Sequence, residues 1–454
     1  MEDEHDGSSC RMKKTGPLTA VRGGLLYFTG DPFFEAPRDC MVHEADGVLL
    51  IGDGTILAVG PAQKILPTLD PATQISHYPD SLILPGFIDA HTHYVQMEIM
   101  ASFGNQLIDW LNEYTFVAEQ KFSDRAYADK IADTFCDLLL RHGTTTAAVF
   151  CATYPDSVDA LFQQAARRNM RIIAGKVMMD RNAPAALLDS AESSYRQSRA
   201  LIEKWHGAGR ASYCVTPRFA PTSSEAQLAA AGVLKKEFPT VHVQSHISEN
   251  KDEIDWVRKL FPGSSGYLDV YDHFGLLSDR TILAHGIHLT DGERRRLSDS
   301  GTAIAHCPTS NLFLGSGLFD LGATLRPEAP IRLGLGTDIG AGTSFSLLQT
   351  LGEAYKVSQL TGRPLTPAQG FYLATLGGAR ALNIADRVGT LTKGHEADLV
   401  VLDPGATEVM AQRMAHADSV EDALFILMIL GDDRAVRATY VAGERLYHKA
   451  DQPA

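Results

Sequence analysis

Five side chains able to hold a metal ion sit far apart in the chain: His91, His93, His246, His285 and Asp338. A sixth acidic group, Glu249, follows His246 by three residues. In His91-Thr92-His93 the two imidazoles are two positions apart, and on a strand such residues point the same way, so both can face one ion. Each signal is weak by itself. An isolated pair of this kind is usually incidental, and a lone His246 or Asp338 reads as an ordinary core or capping residue. Together they carry weight, because several ionisable groups converging without a cation would repel or strand one another. Three neutral imidazoles and a carboxylate suit one Zn²⁺ per chain, with Fe²⁺ as a substitute. Such a cation makes hydroxide available from bound water near neutral pH. His285 and Asp338 are then placed to accept and relay the proton, and Glu249 to act as general acid. A carboxylate and an imidazole flanking one water is what hydrolytic deamination requires.

The elements that must bring these groups together alternate. Short apolar runs ending in polar residues fall at 82–93, 144–150, 171–180, 212–220, 241–249, 281–289, 302–311 and 331–340. Helix-compatible stretches such as 126–141 and 223–236 lie between them. About eight strands alternating with helices over roughly 300 residues predict an α/β fold with a (β/α)8, TIM-like barrel. The candidate groups then fall at C-terminal strand ends, where barrels carry their active sites. An open doubly wound sheet shares this periodicity, but no glycine-rich dinucleotide fingerprint follows the first strand.

Both ends of the chain read as strands. Val48–Ile51 and Thr55–Val59 flank Gly52-Asp53-Gly54, a hairpin signal. Gly23-Gly24 reads as a turn before Leu25–Phe28, and Asp398–Leu402, Ala438–Val441 and Arg445–Tyr447 close the chain. The expected domains are a loose tail at 1–16, the barrel at 81–385, and a small β-sandwich formed by 17–80 with 386–454.

The formal net charge of −14 would repel a phosphate backbone and opposes nucleic-acid or anionic-membrane partners, while allowing a small neutral substrate. The six cysteines are scattered without a CxxC pair, as reduced thiols are. With no signal-like start and no membrane-length apolar run, a cytoplasmic protein is expected.

Pro85-Gly86-Phe87-Ile88-Asp89-Ala90-His91-Thr92-His93 resembles the metal-binding first strand of the amidohydrolase superfamily. The resemblance runs over nearly the whole chain and is closest to the branch acting on guanine. It rests there on Gln96, Trp110-Leu111 to Phe116, Val215-Thr216-Pro217-Arg218-Phe219 and Gln244 to Asn250. Ala284-His285-Gly286, Ala305-His306-Cys307-Pro308 and Leu335-Gly336-Thr337-Asp338 extend it. It implies metal ligation by His91, His93, His246 and Asp338, with Glu249 as proton shuttle, His285 holding the water and Asp338 sharing in proton transfer. It further implies that Gln96 and Arg218 bond the purine edges, Phe219 stacks on the ring, and Trp110 and Leu111 close one side. Guanine would become xanthine and ammonia, in a homodimer. After Asp338 the chain departs from the family pattern, reading Ile339-Gly340-Ala341-Gly342 where glycine and then an aromatic is usual.

Plainer readings suit other residues. Lys176 invites comparison with a metal-bridging lysine but falls on the third strand, so a structural role and a single metal are expected. His242 and His288 read as structural, and His306 stays open between packing and support of the site. Arg218 alone would pass for a rim salt-bridge partner. Cys307-Pro308 lacks the partner cysteine of the other zinc deaminase fold. Rival functions are deamination of another ring, such as cytosine, an adenosine derivative or a triazine, and a non-catalytic dihydropyrimidinase-like scaffold.

Overall fold

The computed structural model describes residues 18–104 and 106–451, so the tail expected at 1–16 lies outside the described residues. Eight parallel strands run Phe87–His93, Thr144–Phe150, Arg171–Gly175, Ser212–Pro217, His242–Ile247, Thr281–His285, Ala303–His306 and Leu333–Leu335. Each pairs with its sequence neighbour, and a short extra strand, Val177–Met178, pairs with Ser212–Pro217. No ladder joins the eighth strand to the first, yet Asp338 N–H donates to the His91 carbonyl at 2.9 Å across that gap. The result is a nearly closed barrel rather than an open sheet.

The strands are buried on both faces, which explains their lack of polar alternation: all seven residues of Thr144–Phe150 are inaccessible. Small inward residues, among them Ala90, Ala148, Ala284 and Ala305, fill the narrow barrel floor, plugged by Leu382 and Ile384. The helix Arg125–Arg141 starts where Asp124 accepts from the Ala126 and Tyr127 amides, a side-chain cap for otherwise unpaired N–H groups.

The termini build a second sheet in the order Glu444–His448, Val436–Val441, Leu399–Leu402, Gln74–Pro85, Thr19–Phe28, Met41–Gly52 and Thr55–Pro61. It is antiparallel except where Thr19–Phe28 meets Gln74–Pro85. One face gathers Val21, Leu49, Ile51, Val401, Ala438 and Tyr440 into a single cluster. An isolated bridge pairs Thr55 with Glu396, and a Cβ at Gly443 would lie 2.6 Å from Ile51 Cγ2, so the two ends of the sheet approach each other as in a sandwich. The other face, with Phe28, Leu84, Val400 and Val436, joins the main barrel core.

Two local readings change. The expected strand 82–93 divides at Gly86: Leu82–Pro85 ends a terminal-sheet strand, and only Phe87–His93 enters the barrel. Gly23-Gly24 is no turn but a bulge within Thr19–Phe28, where glycine tolerates the irregular backbone. Among the described residues no helix is long and apolar enough to cross a membrane.

Candidate active site and metal centre

The first barrel strand carries a bulge. Between Asp89 and Thr92 it advances three residues against two on its neighbour, Ala147 to Val149. Ile88 and Ala90 face the barrel interior, so unbroken alternation would turn His91 and His93 outward. The extra residue reverses the phase and sends both imidazoles inward. His285 and Asp338 are re-aimed differently, by left-handed backbone at φ 72° and 51°. For residues other than glycine this costs on the order of 1–3 kcal/mol each. Gly342 makes room for the Asp338 turn, since a Cβ there would lie 1.8 Å from the Thr337 carbonyl.

These devices gather four ligand atoms. His93 Nε2 lies 3.2 Å from both His91 Nε2 and His246 Nε2. Asp338 Oδ1 lies 3.2 Å from the Nε2 atoms of His91 and His93. A tetrahedron with metal–ligand bonds near 2.0 Å has edges of about 3.3 Å. His93 Nε2 carries at most one hydrogen when neutral and cannot bond all three of these neighbours, so the donor set fits a small cation. His246 Nδ1 donates to the Arg218 carbonyl at 2.7 Å, which leaves Nε2 as the lone-pair donor.

Electrostatics agree. Burial holds His93 down to about 3 and His246 well below its ordinary value, the latter reinforced by neighbouring imidazoles. Burial would raise the Asp338 carboxyl, but His91, His93 and His285 outweigh it and keep the group ionised. Glu249 is raised, first by burial and further by Asp338. His285 is pulled down by burial yet raised on balance by Glu249, Asp338 and Asn311. Its Nε2 sits 3.4 Å from Glu249 Oε2 and 3.8 Å from Asp338 Oδ2.

Above this cluster opens a cavity whose empty space, its open mouth included, is about 420 Å³. Ten of the eleven residues singled out from the sequence line it: His93, Gln96, Trp110, Leu111, Arg218, Phe219, His246, Glu249, His285 and Asp338. The eleventh, His91, lies beneath, beside Asp338. Leu107, Leu314 and Ala341 complete the apolar wall.

The remaining candidates fall elsewhere. Lys176 is buried in a pair with Asp189 and its Nζ also donates to the Val177 carbonyl at 3.2 Å. His242 bonds the Leu382 carbonyl and His288 the Ser316 carbonyl, each at 2.9 Å. His306 stacks on Phe319 with centroids 4.4 Å apart. Cys307 is the exception: its buried Sγ lies within 4.8 Å of ligand atoms of His285 and Asp338, and burial raises its thiol well above the ordinary value.

Four supporting residues escaped the sequence reading. Asn311 Oδ1 accepts from His285 Nδ1 at 2.8 Å, and Ser316 Oγ donates to Glu249 Oε1 at 3.0 Å. Phe150 packs 4.6–5.0 Å from the rings of His91, His93 and His246. Glu119, fully buried, accepts from Arg218 at 2.7 Å and 2.9 Å. Asn311 and Ser316 follow a strand end within ten residues, a weak signal that was available; nothing local marks Glu119.

Comparison with known proteins agrees with this architecture. The model of the amidohydrolase family matches residues 82–446. The guanine deaminase of Escherichia coli (strain K12) is 50% identical over 435 residues, covering 95% of this chain and 98% of that one. The solved structure of E. coli guanine deaminase superposes with a TM-score of 0.92 at 48% identity, covering 96% of this chain and 100% of that one. A guanine deaminase from C. acetobutylicum, solved with guanine bound in its active site, gives 0.84 at 29% identity, covering 95% and 100%. With the family model spanning the whole barrel and the C-terminal strands of the second sheet, the chain belongs to the amidohydrolase family.

Proposed function

We propose that this chain hydrolyses guanine to xanthine and ammonia. The observation that carries the reading is the set of four ligand atoms about 3.2 Å apart beneath a cavity lined by Gln96, Arg218 and Phe219. His91, His93, His246 and Asp338 would hold one zinc ion, whose chemistry would be to make water reactive near neutral pH.

The chain's own residues do the rest. Phe219 offers its face to the planar ring, while Trp110 and Leu111 close the cavity against bulk water. Arg218 donates to a ring-edge acceptor, and Gln96 adds an amide contact. His285 Nε2 orients the attacking water, and Asp338 takes part in removing its proton. Glu249, its carboxyl raised by burial and its Oε1 hydrogen-bonded by Ser316, delivers a proton to the ring nitrogen beside the amine-bearing carbon. The C–O bond forms there, the proton Asp338 took from the water passes to the amine, the C–N bond breaks as ammonia leaves, and the water's second hydrogen restores Glu249.

We also propose that Lys176 stays structural, that 81–385 act as the catalytic unit on the sandwich of 17–80 with 386–454, and that the enzyme works as a cytoplasmic homodimer. The five described cysteines, all buried and free, suit a reducing compartment.

The test is ammonia release from guanine, adenine, cytosine and an aminated triazine, with chelated enzyme as control. Turnover of guanine that chelation abolishes is expected, with Arg218→Gln weakening it. Release from another ring but not guanine points to a sibling deaminase. A folded, metal-free and inert protein points to a scaffold.

A further inference from the structure

Glu119 ends the short helix Phe116–Glu119, and its carboxylate is wholly enclosed. Arg218 Nη1 donates to both of its oxygens, and Gln96 Nε2 donates to Oε1 at 3.2 Å. A carboxylate only accepts, so it dictates which end of the Gln96 amide faces it. The NH₂ group turns toward Glu119 and Oε1 turns away. Room for that oxygen comes from Gly340, at φ +125°, where a Cβ would lie 2.2 Å from Gln96 Oε1. The loop that departs from the family pattern therefore has a physical reason for its glycine at this position.

The same carboxylate engages Nη1 of Arg218 in a bifurcated contact with both its oxygens, leaving Nη2 and Nε clear of it. The Phe116 ring, 5.4 Å from the guanidinium carbon, backs the cation. The cavity thus meets its ligand with an acceptor and a cationic donor in fixed order.

We propose that Glu119 is a positioning residue that sets this order and so selects rings with a lactam edge, a carbonyl oxygen beside an N–H. Rings carrying a bare nitrogen and C–H there leave the Gln96 oxygen and the Arg218 donors without partners, and unpaired buried polar groups discriminate strongly. The inference rests on the reading of the cavity as a guanine site.

Guanine and 2-aminopurine carry the same reacting amine but differ at that edge. In Glu119→Gln the side chain both donates and accepts, so it no longer fixes the Gln96 amide and no longer balances Arg218. KM for guanine is expected to rise about tenfold or more, with a far smaller change for 2-aminopurine. The ratio of kcat/KM values between the two purines then falls by about an order of magnitude. Glu119→Asp keeps the charge but retracts it, and gives an intermediate ratio. Should Glu119→Gln fail to fold, the Asp variant decides alone, and a wild-type ratio in it overturns the proposal. Equal losses on both purines in Glu119→Gln overturn it too, since they mark a merely structural role. A wild-type enzyme inert on guanine overturns the deaminase reading and this inference with it. Activity on guanine with unchanged selectivity in the variants overturns this inference alone.

Discussion

Asp338 is tied to His91 twice: its amide donates to the His91 carbonyl at 2.9 Å, and its Oδ1 lies 3.2 Å from His91 Nε2. The first and last groups of the cluster thus meet across the one barrel seam that no ladder closes. A cation held there links the two barrel edges, so binding it stabilises the folded state. Chelation is expected to bring ammonia release to background and lower the thermal midpoint together, with zinc restoring both. Metal analysis should return one ion per chain. A metal-free preparation that still turns over guanine would falsify the metal centre.

Asn311 is buried and its Oδ1 holds His285 Nδ1 at 2.8 Å. That bond fixes the tautomer and keeps Nε2 aimed at Glu249 and Asp338. Asn311→Ala is expected to lower kcat about 10–100-fold, the usual cost of losing such a support, while KM stays near wild type. A change in KM alone would show that Asn311 shapes binding instead.

Glu253 lies one helical turn beyond Glu249 and accepts from the Glu249 and Asn250 amides at 2.9 Å and 3.1 Å and from the Tyr267 hydroxyl at 2.7 Å. Burial, reinforced by Glu249, pushes its carboxyl up from 4.5 to about 7. A raised pKa means the folded state holds this proton more tightly than the unfolded chain. The contribution to stability is therefore full below 4.5 and lost as pH rises to about 7. In urea unfolding between about pH 5 and about pH 7.5, wild type should lose stability relative to Glu253→Gln. The gap corresponds to at most about 3 kcal/mol. Parallel stability curves for the two proteins would count against it.

Arg210 joins the barrel to the terminal sheet. Its Nη1 and Nη2 reach the two oxygens of Asp398 at 3.0 Å and 2.6 Å, and Nη2 reaches Glu396 at 2.5 Å. The side chains of Arg210 and Asp398 are 9% and 2% exposed, so losing the cation leaves the enclosed Asp398 carboxylate unbalanced, while Glu396 keeps Arg171. Arg210→Met is expected to cost about 3–5 kcal/mol by urea unfolding. Arg210→Lys should recover only part, because it keeps the charge without the planar fork. A cost below about 1 kcal/mol would place this contact among ordinary surface pairs.

The sequence by itself singled out the residues that the fold gathers at one barrel mouth and the framework that repeats them. His91, His93, His246, His285 and Asp338 stand at the ends of apolar runs, and that periodicity is a local property of the chain. Hairpins such as the one at Asp53-Gly54, where both residues have positive φ, were legible because the turn chemistry is local too. Only the tertiary structure decided that a bulge turns His91 and His93 inward, and that left-handed backbone re-aims His285 and Asp338. Those features come from strand register and loop packing, to which partners more than a hundred residues away contribute. Glu119 shows the same limit most plainly. An acidic residue ending a short helix reads as solvated surface until folding encloses it against Arg218, 99 positions along the chain.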